Sequence, residues 1–266
     1  MVHDYGGNIR YYDRNAGRYE NASRYLSNKY QDSALQEELQ QCIDLTGKNQ
    51  LAVLEIGPGT GYLLSKLVKI KGASYNYTGV EHSSEITKIL LARYKYRVRN
   101  IKVLEGSVSA RYIDENLIGN KYDLILGGSI LHQLPDYEEV VKKLSWMLNA
   151  NGVMYFAREP IHKRESAGFK KWQDRAKGIY KYMDSMASKP EEGKKPDFYM
   201  AREGVSRKPF MVLCEADYKL AIYRKYNRRA SSFLSFLENK WFKRSRMDIY
   251  GNTMFSIGIQ RQDRKR

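Results

Sequence analysis

The chain has 266 residues, 46 Lys and Arg against 30 Asp and Glu, a net charge of +16, and only two cysteines. Cys42 and Cys214 are too few and too far apart for a disulfide framework or a cysteine zinc site. No apolar run reaches membrane-spanning length and the first residues lack a secretory apolar stretch, so a single-domain cytoplasmic enzyme is expected. The charge is uneven: residues 1–150 carry a net +2 and residues 151–266 a net +14, which points to an anionic partner for the second half.

In chain order, Tyr11, Tyr12 and Tyr19 first form a tyrosine stripe at helical spacing, a pattern that by itself denotes packing. Leu51, Val53, Leu54 and Ile56 then predict a buried parallel strand. It runs into Glu55-Ile-Gly57-Pro-Gly59-Thr-Gly61, a glycine-rich turn that opens a helix. A dinucleotide fingerprint would need a small residue where Tyr62 stands, and a phosphate-binding P-loop would need Gly-Lys-Ser/Thr. Both are excluded. Glu55, two residues before the first glycine, would repel a pyrophosphate and suits a ligand with a cationic ammonium group.

Tyr75–Val80 predicts a second strand ending in Glu81-His82, 20 residues beyond Gly61, where a carboxylate can accept both hydroxyls of a ribose. Ile101–Leu104 predicts a third strand, leading to Ser107 and Val108, and Tyr122–Leu126 a fourth, leading to Gly127. A helix is expected over Tyr137–Leu148, Asn149–Gly152 as its stop and turn, and Val153–Phe156 as a fifth strand that reaches the sheet edge at Glu159-Pro160. Residues 161–215 exceed a simple crossover, with helical spacing from Phe169 to Met186 and a Lys/Pro/Glu/Gly-rich loop at 188–197. Tyr218–Tyr223 and Thr253–Ile259 read as an antiparallel closing pair around a helix at 231–241.

The pattern Glu55-x-Gly57-x-Gly59-x-Gly61, with Glu81 behind it and Ser129-Ile-Leu-His132-Gln-Leu-Pro-Asp136 after the fourth strand, resembles the class I S-adenosylmethionine-dependent methyltransferases. The likeness covers about residues 45–160. It implies an α/β, doubly wound, seven-stranded and mostly parallel Rossmann-like sheet. One domain is expected, divided into an N-terminal lid (1–45), a cofactor core (46–160), a helical cap inserted after the fifth strand (161–215), closing strands (216–260) and a basic tail (261–266). It also implies S-adenosyl-L-methionine as cofactor, held by Glu55, Gly57, Gly59, Gly61, Glu81, His82, Ser107, Val108 and Gly127, with Tyr11 and Tyr19 closing over it. Ser107 stands where the family often has an acid for the adenine amino group.

The expected reaction is methyl transfer to an O, or N, atom of a small anionic acceptor such as a saccharide, a glycolipid precursor or a secondary metabolite. His132 is the first candidate for a base or orienting group and His162 the second, while Glu159 is a candidate for holding a ring or hydroxyl in place. No cluster of acids follows the fourth strand, so no metal is expected. Two readings stand beside this one. A nucleic-acid methyltransferase would use the basic half, although Asn/Asp-Pro-Pro-Tyr/Phe and a Pro-Cys nucleophile are both missing. A protein that keeps the cofactor fold without transferring methyl groups is the other, since fold alone does not establish function. Peripheral contact with an anionic membrane is a further role open to the basic half.

Overall fold

The computed structural model describes residues 12–14, 16–17, 29–160, 206, 208–214, 217–227 and 253–262. Seven strands form one sheet: β1 (Gln50–Ile56), β2 (Ser74–Glu81), β3 (Asn100–Glu105), β4 (Tyr122–Gly128), β5 (Leu148–Pro160), β6 (Tyr218–Asn227) and β7 (Thr253–Arg261). Their order is β3-β2-β1-β4-β5-β7-β6, parallel except for β7, which runs antiparallel to both neighbours. The order reverses between β1 and β4, the switch point at whose carboxyl strand ends doubly wound sheets form their ligand crevice.

The helices are α1 (Lys29–Thr46), α2 (Leu64–Leu67), α3 (Ser84–Tyr94), α4 (Ala110–Asn116), α5 (Tyr137–Trp146) and α6 (Lys208–Cys214). One face of the sheet packs Leu51, Val53, Tyr77 and Tyr155 against α1, α2 and α3. The other packs Leu54, Ile56, Ile125 and Phe156 against α4, α5 and Phe210 of α6. Two-sided burial explains why β1 and β4 read as nearly continuous apolar runs rather than alternating ones. Among the described residues no helix is long and apolar enough to cross a membrane.

The sheet is the seven-stranded, mostly parallel one expected, with two departures in detail. The helix expected to reach Leu148 stops at Trp146, and β5 begins at Leu148, taking in the Asn149–Gly152 segment expected as a turn. Tyr122 pairs with Leu148 but Leu124 pairs with Val153, so this segment loops out within the strand, with Asn151 at φ +58°. A side chain at Gly152 would sit 2.9 Å from the Asn149 carbonyl. Secondly, α6 lies at the end of the segment expected as a cap, and its Phe210 is fully buried against Phe156, ring centroids 5.8 Å apart. The expected helices at 169–186 and 231–241, the loop at 188–197 and the basic tail lie outside the described residues, apart from Arg261 at the end of β7 and Gln262.

Candidate functional site

The glycine turn joins β1 to α2 in left-handed backbone, with φ +61° at Gly57, +55° at Gly59 and +92° at Gly61, a region that side chains disfavour. Two of the three glycines are also required by the protein's own packing. A Cβ on Gly57 would lie 2.7 Å from Ile130, and one on Gly61 would lie 2.5 Å from the Tyr94 ring. The same holds for Gly127, whose Cβ would meet Phe156 at 2.7 Å and Ile130 at 2.8 Å.

Two buried carboxylates flank this turn, and their environments differ. Glu81, at the tip of β2, accepts from the backbone N–H of Gly59 at 3.0 Å, His82 at 3.0 Å and Ser83 at 3.1 Å, with the His82 ring Nδ1 3.3 Å away. Glu55, 1% exposed, has one hydrogen-bond partner among the described residues, the Tyr77 hydroxyl, which donates at 2.7 Å. Burial pushes the Glu55 carboxyl up to about 8, the Tyr77 bond opposes this, and the nearby Glu81 charge adds to it.

On the other side of the crevice, a bulge decides which side chains meet. Val153, Tyr155 and Ala157 of β5 face α1, while Met154 and Phe156 face α5. Simple alternation would send Arg158 to the α5 side and Glu159 to the α1 side. Phe156 instead pairs with Ile257 and Glu159 with Phe255, so β5 holds one residue more than β7 in this stretch, and the faces exchange. Arg158, at φ +59°, reaches the α1 side. Its Nη2 lies 3.1 Å from Asp32 and its guanidinium carbon 4.9 Å from the Tyr62 ring centroid.

Glu159 turns to the other side, where it is 0% exposed. Its Oε1 accepts from the backbone of Ile130 at 2.7 Å and Leu131 at 3.0 Å, and its Oε2 lies 3.1 Å from the His132 Nδ1. His132 sits on a single 3-10 turn, Leu131–Gln133, directly after β4. A neutral imidazole that donates Nδ1–H to a carboxylate keeps Nε2 as its acceptor. The two strand ends are tied together by Ser129, itself at φ +52°, whose Oγ donates to the Arg158 carbonyl at 3.0 Å.

Asp32, in the first turn of α1, also accepts from the Tyr62 hydroxyl and pairs with Lys66 at 3.2 Å. Burial alone would raise its carboxyl, but Tyr62, Lys66 and Arg158 together hold it below the usual carboxylate range. At the tip of β2 the N-terminal residues dock. Tyr12 meets the His82 ring edge-on at 5.0 Å, and the Asp13 carboxylate accepts from the Ser83 hydroxyl at 2.5 Å.

Of the residues singled out in the sequence, Glu55, Gly57, Gly59, Gly61, Glu81 and His82 gather around the crevice on the β1–β2 side, and His132 and Glu159 meet on the β4–β5 side. Ser107 is half-buried in the turn after β3, and Val108 is packed into the core. Tyr11, Tyr19 and His162 lie outside the described residues. Sequence reading passed over Tyr77, Asp32 and Arg158. Tyr77 had a signal, because Tyr75 and Tyr77 alternate on the face that a parallel register gives to Val53 and Glu55. Arg158 had none, since its direction depends on a bulge.

A protein-family comparison matches residues 54–154 to the family described as Methyltransferase domain. The chain is 23% identical over 147 residues to an arsenite methyltransferase of Mus musculus, covering 52% of this chain and 36% of that one. It is 26% identical over 137 residues to a malonyl-[acyl-carrier protein] O-methyltransferase of Acetivibrio thermocellus, covering 52% of this chain and 46% of that one. The match therefore spans less than half the length of either relative. A provisionally named sarcosine dimethylglycine methyltransferase from Galdieria sulphuraria shares the fold, with TM-score 0.59 at 16% identity over 87% of this chain and 85% of that one. Over residues 54–154 the sheet order, the glycine turn and the matched family model agree: this stretch is similar to the methyltransferase domains, and the sheet is of the doubly wound, Rossmann-like kind.

Proposed function

We propose that the chain is an S-adenosylmethionine-dependent methyltransferase acting on an oxygen, or a nitrogen, of a small anionic acceptor. The observation that carries this reading is the crevice at the β1/β4 switch point, with a binding half on one side and a proton-handling half on the other. Two under-satisfied polar groups support the fit of the cofactor. Glu55 is buried with a single hydroxyl donor, and the His82 Nε2 is buried with no hydrogen-bond partner among the described residues. A nucleoside with an amino-acid tail supplies a cationic ammonium for the first and ring heteroatoms for the second.

When bound, S-adenosylmethionine supplies a methyl group already activated on a sulfonium sulfur. The chain then has to bind, align and handle a proton. Glu81 offers its carboxylate to ribose hydroxyls, exchanging the Gly59 N–H for them, while Glu55 faces the ammonium. His132 takes the proton of the acceptor on Nε2, with its tautomer fixed by Glu159. Glu159 is a positioning residue, because both of its oxygens are already engaged by Ile130, Leu131 and His132. Among the described residues Arg158 and Lys66 share the one carboxylate of Asp32, a cationic excess on the α1 side that suits an anionic acceptor.

Calorimetric titration with S-adenosylmethionine and S-adenosylhomocysteine, with NAD as control, tests the cofactor half. One-to-one binding of the first two and none of NAD is expected, and binding of neither sinks the reading. Screening acceptors with a labelled methyl donor then tests the rest. An activity that prefers anionic small molecules and falls with His132→Ala is expected, whereas equal activity on nucleic acid alone would transfer the function to the basic half.

A further inference from the structure

The two carboxylates of the crevice are unequally compensated, and this has a consequence for binding. Glu81 is met by three backbone N–H groups, so its charge is balanced by oriented dipoles. Glu55 sits two residues before the glycine turn with only the neutral Tyr77 hydroxyl, and no cationic side chain touches it among the described residues. The groups facing it are Tyr77 and Glu81 from β2, Leu126 from β4 across the strand pairing, and Tyr94 of α3 behind Tyr77. None brings a positive charge. A carboxylate with no counter-charge in such a place is costly, and the group holds a proton instead.

We propose that Glu55 meets the cofactor as a neutral carboxylic acid and releases its proton to solvent as the ligand's ammonium group arrives, so that cofactor binding by this chain is proton-coupled. The inference rests on the cofactor reading above and adds its linkage to pH. One O–H bond of Glu55 breaks, the proton passes to buffer, and a carboxylate–ammonium pair forms where an acid–phenol pair stood. Tyr77 keeps its hydrogen bond in both states. The raised Glu55 carboxyl, near 8, sets the range. Below it the empty site is protonated and the released fraction approaches one, and above it the effect fades.

The test is calorimetric titration of the full chain with S-adenosylhomocysteine at pH 6.5, in two buffers of contrasting ionisation enthalpy. Close to one proton released per ligand is expected, with affinity tightening about tenfold per pH unit between pH 6 and pH 7.5. Glu55→Gln should release none. Should that variant fail to bind, infrared spectra of the unliganded proteins decide: the carbonyl band of a protonated carboxylic acid should be present in the wild type and missing from Glu55→Gln. Binding without proton release, or an unliganded wild type lacking that band, overturns the proposal and leaves the methyltransferase reading intact. No binding of S-adenosylhomocysteine at any pH removes both.

Discussion

The two halves of the crevice are built on different principles. On the β1–β2 side every element of the site sits at the end of a regular strand or in the turn that follows it. Glu55 and the three glycines share one strand–turn unit, and Glu81 ends the next strand. On the β4–β5 side the site comes from residues 27 positions apart, His132 and Glu159, which meet because an extra residue in β5 exchanges the faces of Arg158 and Glu159. A binding half set by local pattern can be read and altered residue by residue. A half set by strand register stands or falls as a unit.

The most severe way to break the second half is Glu159→Ala. Removing the carboxylate orphans two well-formed backbone N–H bonds and the His132 ring in a fully buried place. At about 1–3 kcal/mol per buried group left unsatisfied, a loss of roughly 3–5 kcal/mol is expected in urea unfolding. A loss under about 1 kcal/mol would mean that the carboxylate does not carry the turn. His132→Ala leaves the two backbone bonds in place but strips the buried Glu159 Oε2 of its ring partner, so stability should fall by about 1–2 kcal/mol, less than for Glu159→Ala, while kcat falls about 100- to 10,000-fold. Affinity for S-adenosylhomocysteine should be unchanged, and a kcat reduced less than fivefold would remove His132 as the base.

The first half should fail through binding rather than folding. Gly59 stands at φ +55° and its N–H donates to Glu81. Gly59→Val is expected to weaken S-adenosylhomocysteine at least about 100-fold, or roughly 2.7 kcal/mol, while circular dichroism stays that of the wild type. Retained affinity would remove the turn from the site. Gly61→Ala offers the contrast, because its Cβ would strike Tyr94 and Leu90 and should cost stability first.

This division also explains what the sequence disclosed. Strands β1 and β4 were legible because burial on both faces writes continuous apolar runs, and the glycine turn because its left-handed backbone disfavours side chains. The looped start of β5 was not, since Asn149–Gly152 has turn composition yet lies within the strand. Nor was the partner of His132, because Glu159 had the right chemistry but, by alternation, the wrong face. Phe210 escaped for another reason: a seven-residue helix inside a long insertion gives too short a period to separate core from cover.

A gentler probe of the first half is pH. The Glu55 proton leaves near pH 4.5 in the unfolded chain and near 8 in the folded one. Between these values the native state binds more protons, so this group's contribution to stability falls as pH rises and levels off above about 8. The slope is at most about 1.4 kcal/mol per pH unit. Glu55→Gln, which keeps an acceptor for Tyr77, should flatten that decline and unfold at a higher temperature than the wild type at pH 8. Parallel melting curves across pH 6–8 would show that Glu55 does not titrate there.

The smallest effect is expected within the second half, where the ends of β4 and β5 are tied. Ser129 pays for φ +52° with backbone strain, and its hydroxyl holds the Arg158 carbonyl at 3.0 Å. Ser129→Gly relieves roughly 1 kcal/mol of the first and loses about 1 kcal/mol of the second. The net change in unfolding free energy should therefore be near zero, while Ser129→Ala, which keeps the strain and loses the bond, should cost about 1 kcal/mol. If the hydroxyl also fixes the strand ends for catalysis, both variants lower kcat alike despite their different stabilities. Activity that instead follows stability would make the tie a fold element only.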